Sequence, residues 1–177
     1  TDQPVWSKIY SDFTSAEPTV TLAKAIYKED RSLIGVVATD VNDFKLQQAK
    51  LWGADEVING REDFELKADR VIVCAGAYSA VGQAFRCVDR KGTILFFAIP
   101  DKNIEIPTED FWRNEISVVS SYGAAPADLE ASLALIKDGK IRVRDLITHR
   151  FPLAQIQDAY NLILAGKESI KVIIENA

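Results

Sequence analysis

Residues able to do chemistry are few in this chain, and they are scattered. Its one histidine, His149, stands in ITHRFP near a strand-to-helix connection. Asp145 or Asp158 could orient that imidazole for proton transfer, but no serine or cysteine is expected beside it to be activated, so a structural or surface histidine is predicted. Cys74 and Cys87 are the only cysteines, one expected at a strand end and one inside a helix. A zinc site needs three or four Cys, His or carboxylate groups converging tetrahedrally, and this inventory assembles no such set; the cysteines read as reduced core residues. Glu105, Glu109 and Asp110 lie close in sequence, yet a general-acid pair needs a pocket that drives its two pKa values apart, and these read as a solvated loop face. Trp6, Trp52 and Trp112 read as packing or edge residues.

Binding is better represented than catalysis. The run 33–59, LIGVVATDVNDFKLQQAKLWGADEVIN, reads as a buried strand ending in Asp40, a helix closed by Gly53, and a short strand at Val57 and Ile58. That is half of a dinucleotide-binding unit. The other half would be an apolar strand feeding a G-x-G-x-x-G turn, whose bare amides receive a pyrophosphate at a helix N-terminus. Ahead of Gly35 the chain has no glycine. Instead TVTLAKAIY, KEDRS and LIGVVATD suggest two strands joined by a short polar turn. The rival reading makes Thr19 to Tyr27 a first helix, which Leu22, Ala23, Ala25 and Ile26 would suit. The hairpin is preferred because TVT is poor helix material and KEDRS suits a tight connection.

The elements that must position these groups alternate regularly after Gly53. Arg70 to Ala75 is a near-continuous apolar run, expected to be covered on both faces as in a parallel sheet. A helix over Ser79 to Asp89 carries Val81, Ala84, Phe85 and Val88 on one face, with Gly92 as its stop. Thr93 to Ile99 and Ile116 to Ser120 read as strands. Pro126 and Gly139 bracket a helix with Leu129, Leu133 and Ile136 as its buried stripe, and Pro152 and Gly166 bracket another with Ile156, Ala159, Tyr160 and Ile163. Ile170 to Ile174 is a closing strand. This order predicts an α/β fold, a mostly parallel Rossmann-like sheet with helices on both faces, and an N-terminal β-hairpin in place of the glycine-rich first β-α unit.

From about Asp40 to Glu175 the chain resembles the C-terminal cofactor-domain part of the medium-chain alcohol and polyol dehydrogenases. The resemblance rests on TDVNDFKLQQAKLWGADEVIN, DRVIVCAGAYSAVGQAFRCVDRKGTILFFAIP, GKIRVRDLITHRFPLAQIQDAYNLILAGK and KVII. It implies that Asp40 accepts hydrogen bonds from the adenosine ribose and favours NAD over NADP, whose ribose phosphate it would repel. It also implies that Cys74, Ala75 and Gly76 end the strand crossed by the cofactor, that Phe97, Ala98 and Ile99 lie beside the nicotinamide, and that Lys171 approaches the pyrophosphate. Residues of about 4–41, in WSKIYSDFTSAEPTVTLAKAIY and LIGVVATDV, are similar to part of a Cache sensor domain, in which residues at the places of Tyr10 and Asp40 help hold an amino acid. The two resemblances share the strand ending at Asp40, which implies a chimera.

Composition bounds what remains. At 177 residues, 47% of them hydrophobic and 27% charged, one α/β domain is expected, its first forty residues the hairpin segment. A net charge of -5 without a Lys/Arg cluster argues against a nucleic-acid partner. Apolar stretches fall far short of a membrane span and no charged leader precedes one, so a soluble chain is expected, with the cytoplasm favoured. No methionine occurs, which reads as a processed or excised piece. Nothing resembles the barrel domain that carries the catalytic zinc and proton relay in medium-chain dehydrogenases. The expectations are NAD binding that is weak or absent, no zinc, no autonomous hydride transfer, a small molecule as the partner in kind, and sheet edges open to homodimer formation. An amino-acid sensor, or a folding unit without a ligand, is the alternative.

Overall fold

The computed structural model describes residues 22–27 and 33–176, with side chains from Val36 onward. They fall into two compact units, 22–122 and 123–176.

The first unit is built on a six-stranded sheet. β1 (Leu22–Tyr27) and β2 (Leu33–Asp40) pair antiparallel, Leu22 opposite Thr39 and Ala25 opposite Val36. β1 pairs antiparallel with β4 (Ala68–Val73) on its other side, Leu22 opposite Val73 and Ala25 opposite Arg70. β3 (Glu56–Asn59) runs parallel to β2, and β5 (Val88–Phe96) and β6 (Ser117–Ser120) run parallel to β4. The order is β3-β2-β1-β4-β5-β6, so five strands point one way and β1, in the middle, points the other. Over Leu22 to Tyr27 the chain is a strand and not a helix, as the hairpin reading has it; Thr19 to Thr21 and KEDRS lie outside the described residues.

Three helices accompany the sheet: α1 (Asp43–Leu51), α2 (Tyr78–Cys87) and α3 (Thr108–Arg113). The core forms where α2 covers β4 and β5. Val71, Val73, Ile94 and Phe96, alternating along their strands, are buried beneath Ala80, Val81, Ala84 and Cys87. Each large aliphatic side chain so buried is worth about 1.5–3 kcal/mol. Between them Ile72 and Leu95 are only half-buried. The apolar run in β4 is therefore not evenly covered on both faces, contrary to the sequence expectation.

Gly92 is a second correction. α2 ends at Cys87 and β5 starts at once with Val88, so Gly92 lies inside the strand rather than closing the helix. Lys91 takes a φ of 60°, and a Cβ on Gly92 would sit 2.7 Å from both the Asp89 carbonyl oxygen and Val88 Cγ2. Close approach in an irregular strand, not a cap, requires the glycine. α3 was missed altogether. It has no buried residue, and Glu109 pairs with Arg113 at 2.9 Å across its exposed side, so no apolar period marks it.

The second unit contains α4 (Pro126–Lys137), β7 (Ile147–Pro152), α5 (Ile156–Ala165) and β8 (Lys171–Glu175), with β7 and β8 as a separate parallel pair. The bracketing residues act as expected. Asp128 accepts the Ala125 N–H at 2.9 Å at the start of α4, and Gly139 and Gly166 take φ of 67° and 62° after the two helices. The stripes do not. Leu129, Leu133 and Ile136 are exposed, as are Ile156 and Tyr160, and Ala159 is the one fully buried side chain among the unit's described residues.

Candidate functional site

The carboxyl ends of β2, β3, β4 and β5 share one edge of the six-stranded sheet, and seven of the eight residues singled out above for the cofactor occupy that edge in two groups. The first centres on Asp40. Its side chain is 5% exposed, and a buried carboxylate needs donors. Asn42 N–H donates to Asp40 Oδ1 at 2.8 Å, and Gly60 N–H donates to the Asp40 carbonyl at 2.9 Å. Asn42 in turn caps α1 by accepting the Lys45 N–H at 3.2 Å, while Asn59 Nδ2 donates to Asp43 Oδ1 at 3.1 Å. Gln83 on α2 donates from Nε2 to the Gly60 carbonyl at 3.0 Å. The ends of β2 and β3 and the helices α1 and α2 are thus linked in one network around Asp40.

Sequence reasoning found Asp40 but not Asn42, Asn59, Gly60 or Gln83. Asn42 ahead of an acidic first turn is a local N-cap signal, and Asn59-Gly60 is a turn dipeptide, so both were available. Gln83 was not, because its partner is 23 residues away.

In the second group, Cys74, Ala75 and Gly76 follow β4 and meet Phe97, Ala98 and Ile99 after β5. The Val73 carbonyl accepts both Phe97 N–H and Ala98 N–H at 3.0 Å, and the Gly76 carbonyl accepts Asp101 N–H at 2.8 Å. A Cβ on Gly76 would lie 2.6 Å from Asp101 Oδ1 and 2.9 Å from the Ile99 carbonyl oxygen, so glycine is what lets the two segments close. These residues lie beyond the strand ends rather than within them: β4 stops at Val73 and β5 at Phe96. Ala75 and Ala98 are buried, and Ile99 is 75% exposed. Burial pushes the Cys74 thiol up to about 12, so it stays protonated at neutral pH and is no nucleophile.

Between the groups stands β1, and its direction decides what the edge can do. Leu22, its first residue, is opposite both Thr39 and Val73, so β1 enters at the edge where its neighbours leave. A strand that enters there cannot be followed there by a turn and a helix. β1 therefore brings no helix N-terminus to a pyrophosphate, which is the service the first strand of a dinucleotide fold performs.

The remaining candidates lie in the second unit. Lys171 begins β8 opposite Ile147 and is exposed. His149 sits in β7, stacked on Phe151 with ring centroids 6.4 Å apart, and its buried Nδ1 has no hydrogen-bond partner among the described residues. Asp145 pairs with Arg142 at 3.5 Å. Glu105, Glu109 and Asp110 are exposed, the latter two on α3 rather than in a loop. Among the described residues no three of His, Cys, Asp or Glu are placed to hold a metal ion, and no helix is long and apolar enough to cross a membrane.

Residues 31–138 match the zinc-binding dehydrogenase family. A sorbitol dehydrogenase of Halalkalibacterium halodurans is 30% identical over 175 residues, an alignment covering 91% of this chain and 50% of that protein; the chain spans about half the length of the curated relatives it matches. Among solved structures, a zinc-binding dehydrogenase of Sinorhizobium meliloti bound to NADP superposes with a TM-score of 0.73 at 21% identity, over 82% of this chain and 46% of that one. An Escherichia coli alcohol dehydrogenase complexed with NADH superposes with a TM-score of 0.72 at 24% identity, over 80% and 44%. With strand order, helix placement and the matched residues in agreement, the chain belongs to the zinc-binding dehydrogenase family and carries its Rossmann-type cofactor-domain fold.

Proposed function

We propose that this chain is a rebuilt nucleotide-binding domain of a zinc-type alcohol or polyol dehydrogenase, one that keeps the ribose-side carboxylate and lacks the phosphate grip. The observation that carries this reading is the antiparallel β1. A nicotinamide cofactor supplies the hydride chemistry when bound; the part of this chain is to orient it. Asp40 would receive the ribose hydroxyls, with Asp43 adding negative charge that disfavours NADP. The laced segments 74–76 and 97–99 would lie against the nicotinamide half. A charge-assisted hydrogen bond to a pyrophosphate is worth about 1.5–3 kcal/mol, so a fold without two of them binds more weakly by roughly two to four powers of ten. NADH binding without autonomous hydride transfer is the expected behaviour. Titrating NADH into the chain and following its fluorescence tests this. A dissociation constant of about a millimolar or weaker, weakened further by Asp40→Ala, supports it, and micromolar binding contradicts it.

The hairpin also favours a second reading, a chimera whose first forty residues derive from a Cache sensor. Tyr10, its ligand-contacting residue, lies outside the described residues, and the sorbitol dehydrogenase alignment, at 91% of the chain, reaches into that segment. Amino-acid binding abolished by Tyr10→Ala would support this reading, whereas no amino-acid binding would remove it. As an assembly, the domain would pair through β6, whose Val119 is 46% exposed at the sheet edge. Sedimentation as a dimer that Val119→Lys converts to a monomer is the expected result.

A further inference from the structure

The sheet of the second unit is open at both sides. Among the described residues it consists of β7 and β8 alone, so each strand is paired along one side and turns a row of N–H and C=O groups away along the other. A two-stranded sheet is marginal in water, and Ala159 is the one fully buried side chain among this unit's described residues. The unit is short of both strands and core. Open edges recruit further strands unless proline or charge guards them. β7 is guarded, since it carries Arg150 and ends in Pro152, which has no N–H to offer. β8 is not: KVIIE over Lys171–Glu175 has no proline, and its three central residues are apolar and β-branched.

The charges at the ends of β8 complement each other. Turned antiparallel on itself about Ile173, the strand sets Lys171 opposite Glu175 at both ends, with Val172 opposite Ile174 between them. Opposite charges facing across antiparallel strands are favourable and like charges are not. Only one register gives this: parallel pairing sets lysine against lysine, and a slip of one residue sets Glu175 against Val172. Lys171 and Glu175 are both exposed. Arg150 donates to Glu175 Oε1, which leaves Oε2 to receive a second cation. α5 packs against both β7 and β8, and a two-fold axis perpendicular to the sheet keeps the α5 helices of two copies on the same side. α5 carries a single charge, Asp158, and exposes Ile156, Tyr160 and Leu164 at i, i+4 and i+8, so each helix brings the other an apolar stripe.

We propose that β8 is the docking edge for a second copy of this chain, the two strands pairing antiparallel about Ile173 to form a four-stranded sheet β7-β8-β8-β7. Five residues a side bury less than the roughly 800 Å² per partner of a stable interface, so a dissociation constant of about a millimolar is expected. This pairing is separate from the one through β6, and the Val119→Lys chain, with β6 blocked, tells the two apart. Translational diffusion of that chain by NMR should slow as its concentration rises from about 0.05 mM to about 1 mM. Lys171→Glu alone, or Glu175→Lys alone, should weaken the association about tenfold or more, because like charges then face each other at both ends. An equimolar mixture of these two variants should recover it, since each strand then meets its opposite charge in the other. A mixture of 13C-labelled and unlabelled Val119→Lys chain gives a reading that needs no charge variant: nuclear Overhauser contacts between copies, from Val172 of one to Ile174 of the other, are expected. Diffusion independent of concentration, self-association undiminished in the single variants, or contacts between copies that leave out β8 would each overturn the proposal.

Discussion

Cys74 and Asp40 show how the same edge treats two ionisable residues differently. Asp40 is buried but supplied with a donor from Asn42, whereas Cys74 is desolvated and its thiol is raised to about 12 from an ordinary 9.0. A raised pKa makes a folded-state contribution that is complete below the unfolded value and is lost as pH rises toward the folded one. Wild type should therefore lose stability between about pH 9 and pH 12 through this residue, and Cys74→Ala should lose less over the same range. Denaturant midpoints for both proteins at pH 8 and pH 10.5 check this; parallel losses would remove Cys74 as the cause. At this scale Asp40 was legible, because a charged residue ending an apolar β-branched run marks a strand exit. The Gly60–Gln83 bond was not, since sequence spacing says nothing about a contact between a turn and a distant helix.

Most helix ends were legible for the same local reason: Gly53, Pro126, Gly139 and Gly166 act within a turn of where they stand. Coverage of a face was not. Hydrophobic period tells which residues share a side of an element, not whether another element lies over it, and so Leu129, Leu133 and Ile136 were read as buried. Opposite stabilities follow for similar-looking substitutions. Ile94→Ala, at a fully buried strand position beneath α2, should cost about 2–5 kcal/mol. Leu133→Lys, at a helix position 51% exposed, should stay within about 0.5 kcal/mol. Urea unfolding of the two variants measures both, and a large loss for Leu133→Lys would mean that α4 has a covered face. β5 escaped a correct reading at its start because Gly92 resembles a helix stop, while its actual constraint is crowding by the Asp89 carbonyl and the Val88 side chain.

For the whole molecule, the strand order is that of a dinucleotide-binding sheet with its central strand reversed. The sequence pointed to this through a negative feature, the missing glycines ahead of Gly35, and through the two-strand pattern around KEDRS. It could not place β1 between β2 and β4, because pairing across the sheet leaves no periodic trace in either partner. What is proposed for the cofactor follows from that placement: a central strand that enters at this edge is followed there by no turn and helix of its own. The direct measurement is of cross-strand Hα–Hα nuclear Overhauser contacts between β1 and β4. Antiparallel pairing predicts such contacts in the register that sets Ala23 opposite Ile72 and Ala25 opposite Arg70. Contacts in a parallel register, with β1 leaving at the edge where β4 leaves, would contradict it and restore an ordinary nucleotide cradle.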